Sequence, residues 1–97
     1  MNTLSKFEIV RDIVRVYLRE NGKYANLSEL DSYNEHIIAT GTSILCTKWK
    51  INSGGGFVQA FVNNDLYGAI SRADCINIHA LMFYSMLSHN NSAPTFK

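Results

Sequence analysis

The chain has 97 residues, of which 46% are hydrophobic, and a formal net charge of +1. This length favours a single domain, and this composition excludes both a wholly disordered chain and a strongly basic nucleic-acid-binding protein. No apolar run approaches the roughly 20 residues that span a bilayer, and we recognise no signal peptide. Two cysteines are too few for a disulfide scaffold, so we expect free thiols and a cytoplasmic location.

The first predicted helix begins at Ser5. Ser5 and Glu8 form a capping-box pattern, and Gly22 is placed to end the helix in a left-handed conformation. Apolar residues recur at helical spacing along one face, which predicts that this face packs against the core. They are Phe7, Val10, Ile13, Val14, Tyr17 and Leu18.

The opposite face of this helix carries Arg11, Arg15 and Arg19, spaced by four residues and called the arginine ridge below. Glu8 and Asp12 precede two of these arginines at (i, i+3) spacing. The ordinary interpretation is a solvated surface whose charges pair with one another. The alternative is a stripe that contacts phosphate groups.

The second predicted helix begins at Ser28, which has capping-box spacing to Asp31, and ends at Gly41. Its narrow apolar face consists of Leu30, Tyr33, Ile37 and Ile38. Three acids project into solvent in this interpretation: Glu29, Asp31 and Glu35.

Residues 43–70 are predicted to form a small antiparallel β-meander. Alternation along its first strand points Trp49 to the apolar side and Lys48 and Lys50 away from it. The glycines at 54–56 would form a flexible hairpin tip with positive φ angles, and residues 57–62 a covered central strand. Residues 63–65 are turn formers that tolerate left-handed geometry, and residues 67–70 would form a short third strand.

The last predicted helix begins at Ser71, with Asp74 at its third position. Its broad apolar face, predicted to lie on the sheet, consists of Cys75, Ile76, Ile78, His79, Met82, Phe83, Met86 and Leu87. The sequence therefore predicts an α+β fold with two N-terminal helices, a β-meander and a C-terminal helix. Residues 1–89 would be a single α/β domain, and residues 90–97 a loose tail.

None of the candidate chemical sites is favoured over its structural explanation. Cys75 and His79 are one helical turn apart, but no CxxC or HxxxH pair accompanies them, so we expect no metal site and no cofactor. Both cysteines fall on predicted buried faces, where thiols are inert, and nothing places paired acids in an apolar cleft. The glycine run lacks the Lys-Ser/Thr of a phosphate loop. We expect no enzymatic activity.

The remaining signal is a set of acids that could bind a basic partner. The acid set is Glu8, Asp12, Glu20, Glu29, Asp31 and Glu35. Carboxylates spread over a surface can occupy the positions of duplex phosphates and compete for a basic groove. The ordinary interpretation of the same residues is a solvated surface.

In size, capped helices, asparagine- and tyrosine-rich surfaces, clustered acids and lack of a catalytic set, the chain resembles small phage-encoded inhibitors. Among these it is similar to anti-CRISPR proteins, in particular those directed against type I surveillance complexes. The resemblance implies a stoichiometric inhibitor of a larger protein or ribonucleoprotein complex, with mimicry of DNA as one mode. Two alternatives stay open: a small nucleic-acid-binding regulatory domain that uses the arginine ridge, and a homo-oligomeric structural protein.

Overall fold

The computed structural model describes residues 2–25, 27 and 31–96, and that part of the chain contains six α-helices and no β-strand. The helices are α1 (Thr3–Asn21), α2 (Asp31–Lys48), α3 (Gly56–Val62), α4 (Leu66–Arg72), α5 (Cys75–His79) and α6 (Leu81–Asn90). A 3₁₀ turn at Gly22–Ala25 follows α1. The predicted α+β fold is therefore wrong. None of the described helices combines the length and the apolar character needed to cross a membrane.

Helix α1 keeps its predicted core face but differs at both ends. Val10 and Val14 are fully buried. The helix begins earlier than predicted, because the Asn2 side chain accepts a hydrogen bond from the Ser5 amide at 2.8 Å and caps it. Gly22 has a right-handed φ of −55° and leads into the 3₁₀ turn, so the predicted left-handed ending is wrong.

Helix α2 runs through Gly41 and takes in most of the predicted first strand. Buried residues recur along α2 at helical spacing. They are Ile37, Ile38, Gly41, Thr42, Ile44, Leu45 and Cys46. The sequence did not reveal this spacing, because a short apolar run such as residues 44–46 is compatible with either a helix or a strand. A β-carbon at Gly41 would lie 3.0 Å from both Val14 Cγ1 and Leu87 Cδ2. Gly41 therefore lies where α2 packs closely against α1 and α6, and it does not end a helix.

The predicted second and third strands form a pair of short helices, α3 and α4. No glycine in the described part has a positive φ, and the left-handed residues are Lys50 and Asn64. The prediction for the turn at 63–65 is thus confirmed at Asn64, while that for the glycine tip is wrong. A β-carbon at Gly54 would lie 2.6 Å from Val58 Cγ1, so the glycine permits a close approach of this loop to α3. Helix α3 packs on α2, and α4 packs chiefly on α3.

The predicted last helix is broken twice, which changes the face that it buries. Ser71 lies inside α4, and Asp74 caps α5 by accepting a hydrogen bond from the Asn77 amide at 2.7 Å. A second break at Ala80 separates α5 from α6. The buried residues of α5, Ala80 and α6 are Asn77, Ala80, Phe83, Tyr84 and Leu87. Four residues of the predicted buried face are exposed instead, namely Cys75, Ile78, His79 and Met82.

The C-terminal residues return along α1. The Asn90 amide donates a hydrogen bond to the Tyr17 hydroxyl at 2.8 Å. Phe96 packs against the core, and the Lys6 ammonium lies 5.6 Å from the centre of its ring. Because Tyr17 and Lys6 lie at opposite ends of α1, residues 91–96 run antiparallel to that helix.

Candidate functional site

The acid set is divided between two helices. Glu8, Asp12 and Glu20 are exposed on α1, and Glu35 is exposed on α2. Asp31 is the first residue of α2, but its side chain, like the whole of Glu29, lies outside the described residues. Of the acids whose side chains the structure describes, Glu35 and Asp12 form ion pairs with the arginine ridge.

Glu35 forms ion pairs with two arginines of the ridge. Its carboxylate lies 3.3 Å from Arg11 Nη2 and 3.7 Å from Arg15 Nη2, and Asp12 lies 3.9 Å from Arg15 Nη1. All four side chains are substantially exposed, so each pair contributes at most about 1 kcal/mol to stability. The result is a mixed surface on which arginines partly neutralise acids, and its role in partner binding stays a prediction.

Of the ion pairs on this surface, the sequence predicted the one within α1 and did not predict those between α1 and α2. The (i, i+3) spacing of Asp12 and Arg15 predicted their ion pair, which the structure confirms. The contact between Glu35 and Arg11 joins residues 24 apart in the chain, and no local pattern encodes it. It depends on the packing of α2 against α1.

The residues considered for metal binding and nucleophilic chemistry are dispersed. Cys46 is buried in α2, and its burial raises the pKa of its thiol. Cys75 is exposed at the start of α5, contrary to the prediction. Among the described residues, no three His, Cys, Asp or Glu side chains come together as a metal site would require. Trp49 packs against the core as predicted, although it follows a helix and not a strand.

A polar network that the sequence analysis missed connects α2, α5 and α6. His36 Nε2 lies 3.1 Å from the Asp74 carboxylate, the same carboxylate that caps α5. The Tyr84 hydroxyl donates a hydrogen bond of 2.7 Å to the Asn77 side-chain carbonyl inside the core. Burial raises the pKa of Tyr84, an effect that Asp74 reinforces and a hydrogen bond with Thr40 opposes. These hydrogen bonds and the His36–Asp74 contact hold α5 in position, so we assign the network a structural role.

Three exposed large apolar side chains lie together on α4. Leu66, Tyr67 and Ile70 have relative exposures of 62%, 88% and 44%, and we call them the α4 face. The three residues occupy one arc of the helix, while Ala69 on another side is buried. Helix α4 therefore presents large apolar side chains to solvent, the reverse of the usual arrangement in a surface helix.

A cleft of about 490 Å³ adjoins the α4 face. Its apolar lining includes Phe61, Val62, Leu66, Ala69 and Leu81. Its polar lining includes Lys48, Asn64, Asp65, Ser85, Ser88 and His89. The Lys48 ammonium donates a hydrogen bond to the Ser88 carbonyl, which ties the end of α2 to α6 beside the cleft. Leu66 belongs to both features, so the cleft and the α4 face form one continuous surface.

Comparison of the chain with protein-family models, curated proteins and solved structures gives no match.

Proposed function

We propose that this protein acts by binding another protein, as a small stoichiometric inhibitor of the kind that the anti-CRISPR resemblance implies, in the cytoplasm of a host cell. The observation that carries the proposal is the α4 face, where three large apolar side chains are exposed beside a cleft. Contiguous exposed apolar surface on a small protein commonly marks a site of protein–protein contact.

The composition of this surface suits a protein partner. Binding interfaces concentrate their energy in a few aromatic and aliphatic side chains, surrounded by polar groups that remain near solvent. Tyr67 and Leu66 provide such side chains, and Lys48, Asp65 and His89 provide polar groups in the adjoining cleft. Truncation of an exposed side chain here should weaken binding and leave the core intact.

Docking through the acid set is the competing mode and predicts a different dependence on salt. Glu35 already interacts with Arg11 and Arg15, so a basic partner would have to displace these arginines before it could use that carboxylate fully. Binding through acids should weaken strongly with added salt, because exposed charge pairs are screened. The affinity of binding through the α4 face should change little with added salt.

The experiment measures binding to a purified type I surveillance complex and inhibition of its binding to target DNA. We expect the double variant Tyr67→Ala/Ile70→Ala to lose about tenfold or more in affinity, which corresponds to about 1.4 kcal/mol. The matched control is Leu4→Ala/Val16→Ala, which truncates comparably exposed apolar residues on α1 and should bind like the wild type.

A charge-reversal variant separates the two modes. Glu29→Lys, Asp31→Lys and Glu35→Lys together should leave affinity within about threefold of the wild type if the α4 face is the contact surface. Loss of binding in this variant, with the α4 variant unaffected, would assign the contact to the acid set. Failure of the wild type to bind or inhibit the complex at micromolar concentration would show that the anti-CRISPR proposal is wrong.

A further inference from the structure

The α4 face and the adjoining cleft have the properties of a surface that can pair with itself. We propose that two copies of this chain associate reversibly about a twofold axis, with the α4 face of each copy entering the cleft of the other. The proposed dimer does not depend on the proposed function. Its consequence, that the dimer and a partner compete for one surface, rests on that function.

A twofold interface requires the projecting and the receiving parts to lie on the same surface of one molecule. This chain meets the requirement, since Leu66 lines the cleft and is also a member of the α4 face. Tyr67, the most exposed large apolar residue described, directly follows Leu66 and projects from a short helix that packs chiefly on α3. In the proposed dimer, the twofold rotation places Tyr67 of each copy at the apolar cleft of the other.

The charges around the cleft are compatible with self-association. Among the residues that line the cleft, Asp65 carries a negative charge and Lys48 carries a positive charge. A surface with both signs can pair with a rotated copy of itself, whereas a surface with a single sign repels its copy. The net charge of +1 adds little repulsion between whole molecules.

The expected dimer is weak. Stable interfaces usually bury about 800 Å² on each partner, whereas the proposed contact is confined to one seven-residue helix and its adjoining cleft. Weak association leaves a population of monomers whose α4 face is free. A tight-binding partner can then draw the protein out of the dimer by mass action.

Sedimentation equilibrium tests the proposal on the protein alone. Between about 10 µM and about 1 mM, a range that covers weak interfaces, the average mass of the wild type should rise from the monomer towards twice that value. Tyr67→Glu should remain monomeric throughout, because dimerisation would bury its carboxylate in an apolar cleft. Ile70→Glu is a second variant with the same expected result.

The matched control is Tyr24→Glu. Tyr24 is 63% exposed on the 3₁₀ turn, so the variant carries the same chemical change away from α4 and should dimerise like the wild type. Helical circular dichroism of each variant shows that it is folded. A wild type that stays monomeric at 1 mM, or a Tyr67→Glu variant that dimerises normally, overturns the proposal.

The outcomes for the dimer and for the proposed function are distinguishable. A dimer abolished by Tyr67→Glu, together with no binding to the surveillance complex, removes only the proposed inhibitor function. A monomeric wild type whose partner binding is lost in Tyr67→Ala/Ile70→Ala removes only the dimer. Where both hold, raising the protein concentration into the dimer range should lower the fraction of the protein that is monomeric and available to the complex.

Discussion

The buried hydrogen bond between Tyr84 and Asn77 gives the sharpest test of the helical fold. Tyr84 is fully buried, Asn77 is 7% exposed, and the bond between them is 2.7 Å long. It joins α5 to α6 across the break at Ala80, and the apolar face predicted for this segment did not include Asn77. Removing either partner should therefore destabilise the protein, and removing both should cost less than the sum.

The magnitude follows from the asymmetry of buried hydrogen bonds. Asn77→Ala leaves the Tyr84 hydroxyl without its acceptor, which should cost about 1–3 kcal/mol in the free energy of unfolding. Tyr84→Phe removes the hydroxyl itself and should cost about 0.5–1.5 kcal/mol. The double variant no longer buries an unpaired hydroxyl or carbonyl, so the coupling energy should be about 1–2 kcal/mol.

The assay is urea unfolding followed by circular dichroism, applied to the wild type, both single variants and the double variant. Tyr24→Phe is the control, since it makes the same chemical change at an exposed tyrosine and should alter the free energy of unfolding by less than about 0.5 kcal/mol. Strictly additive effects would refute the reasoning. So would an Asn77→Ala variant as stable as the wild type.

Three further predictions concern burial and packing. A thiol reagent should modify Cys75 rapidly and Cys46 only on unfolding, because burial shields the Cys46 thiol and raises its pKa. Equal rates of modification in the Cys46→Ser and Cys75→Ser variants would contradict this prediction. Burial raises the pKa of Tyr84 above its unfolded value of about 10, so its stabilising contribution should be complete below that pH and be lost as the pH rises further. Absorbance at alkaline pH should then show one tyrosine ionising together with unfolding, a step that is absent in Tyr84→Phe. Gly41→Leu should lower the free energy of unfolding by about 3 kcal/mol or more in urea titration, because the new side chain would overlap two fully buried residues. Asn63→Leu, on the exposed turn between α3 and α4, is the control. Equal stability of the two variants would show that α2 does not approach its neighbours as closely as described.

The sequence predicted helix α1 well and the middle of the chain poorly, and the reason is physical. Over 19 residues, α1 repeats its apolar positions often enough to define a helical period. The segments that become α3 and α4 have seven residues each, too few to separate a helical period from the alternation of a strand. Phe57, Val58 and Phe61 favour strands by intrinsic preference, and the packing of α3 on α2 overrides that preference.

The same ambiguity hid the candidate site. In the predicted strand at residues 67–70, Tyr67 and Ile70 would point to opposite sides of a sheet, and no apolar surface would result. In a helix, residues separated by three or four positions share one side, so Leu66, Tyr67 and Ile70 come together. The α4 face therefore exists only if this segment is helical, and the Tyr67 variants test the secondary structure along with the contact. If α4 were a strand, Tyr67→Glu and Ile70→Glu would affect different surfaces, and only one of them could prevent dimerisation.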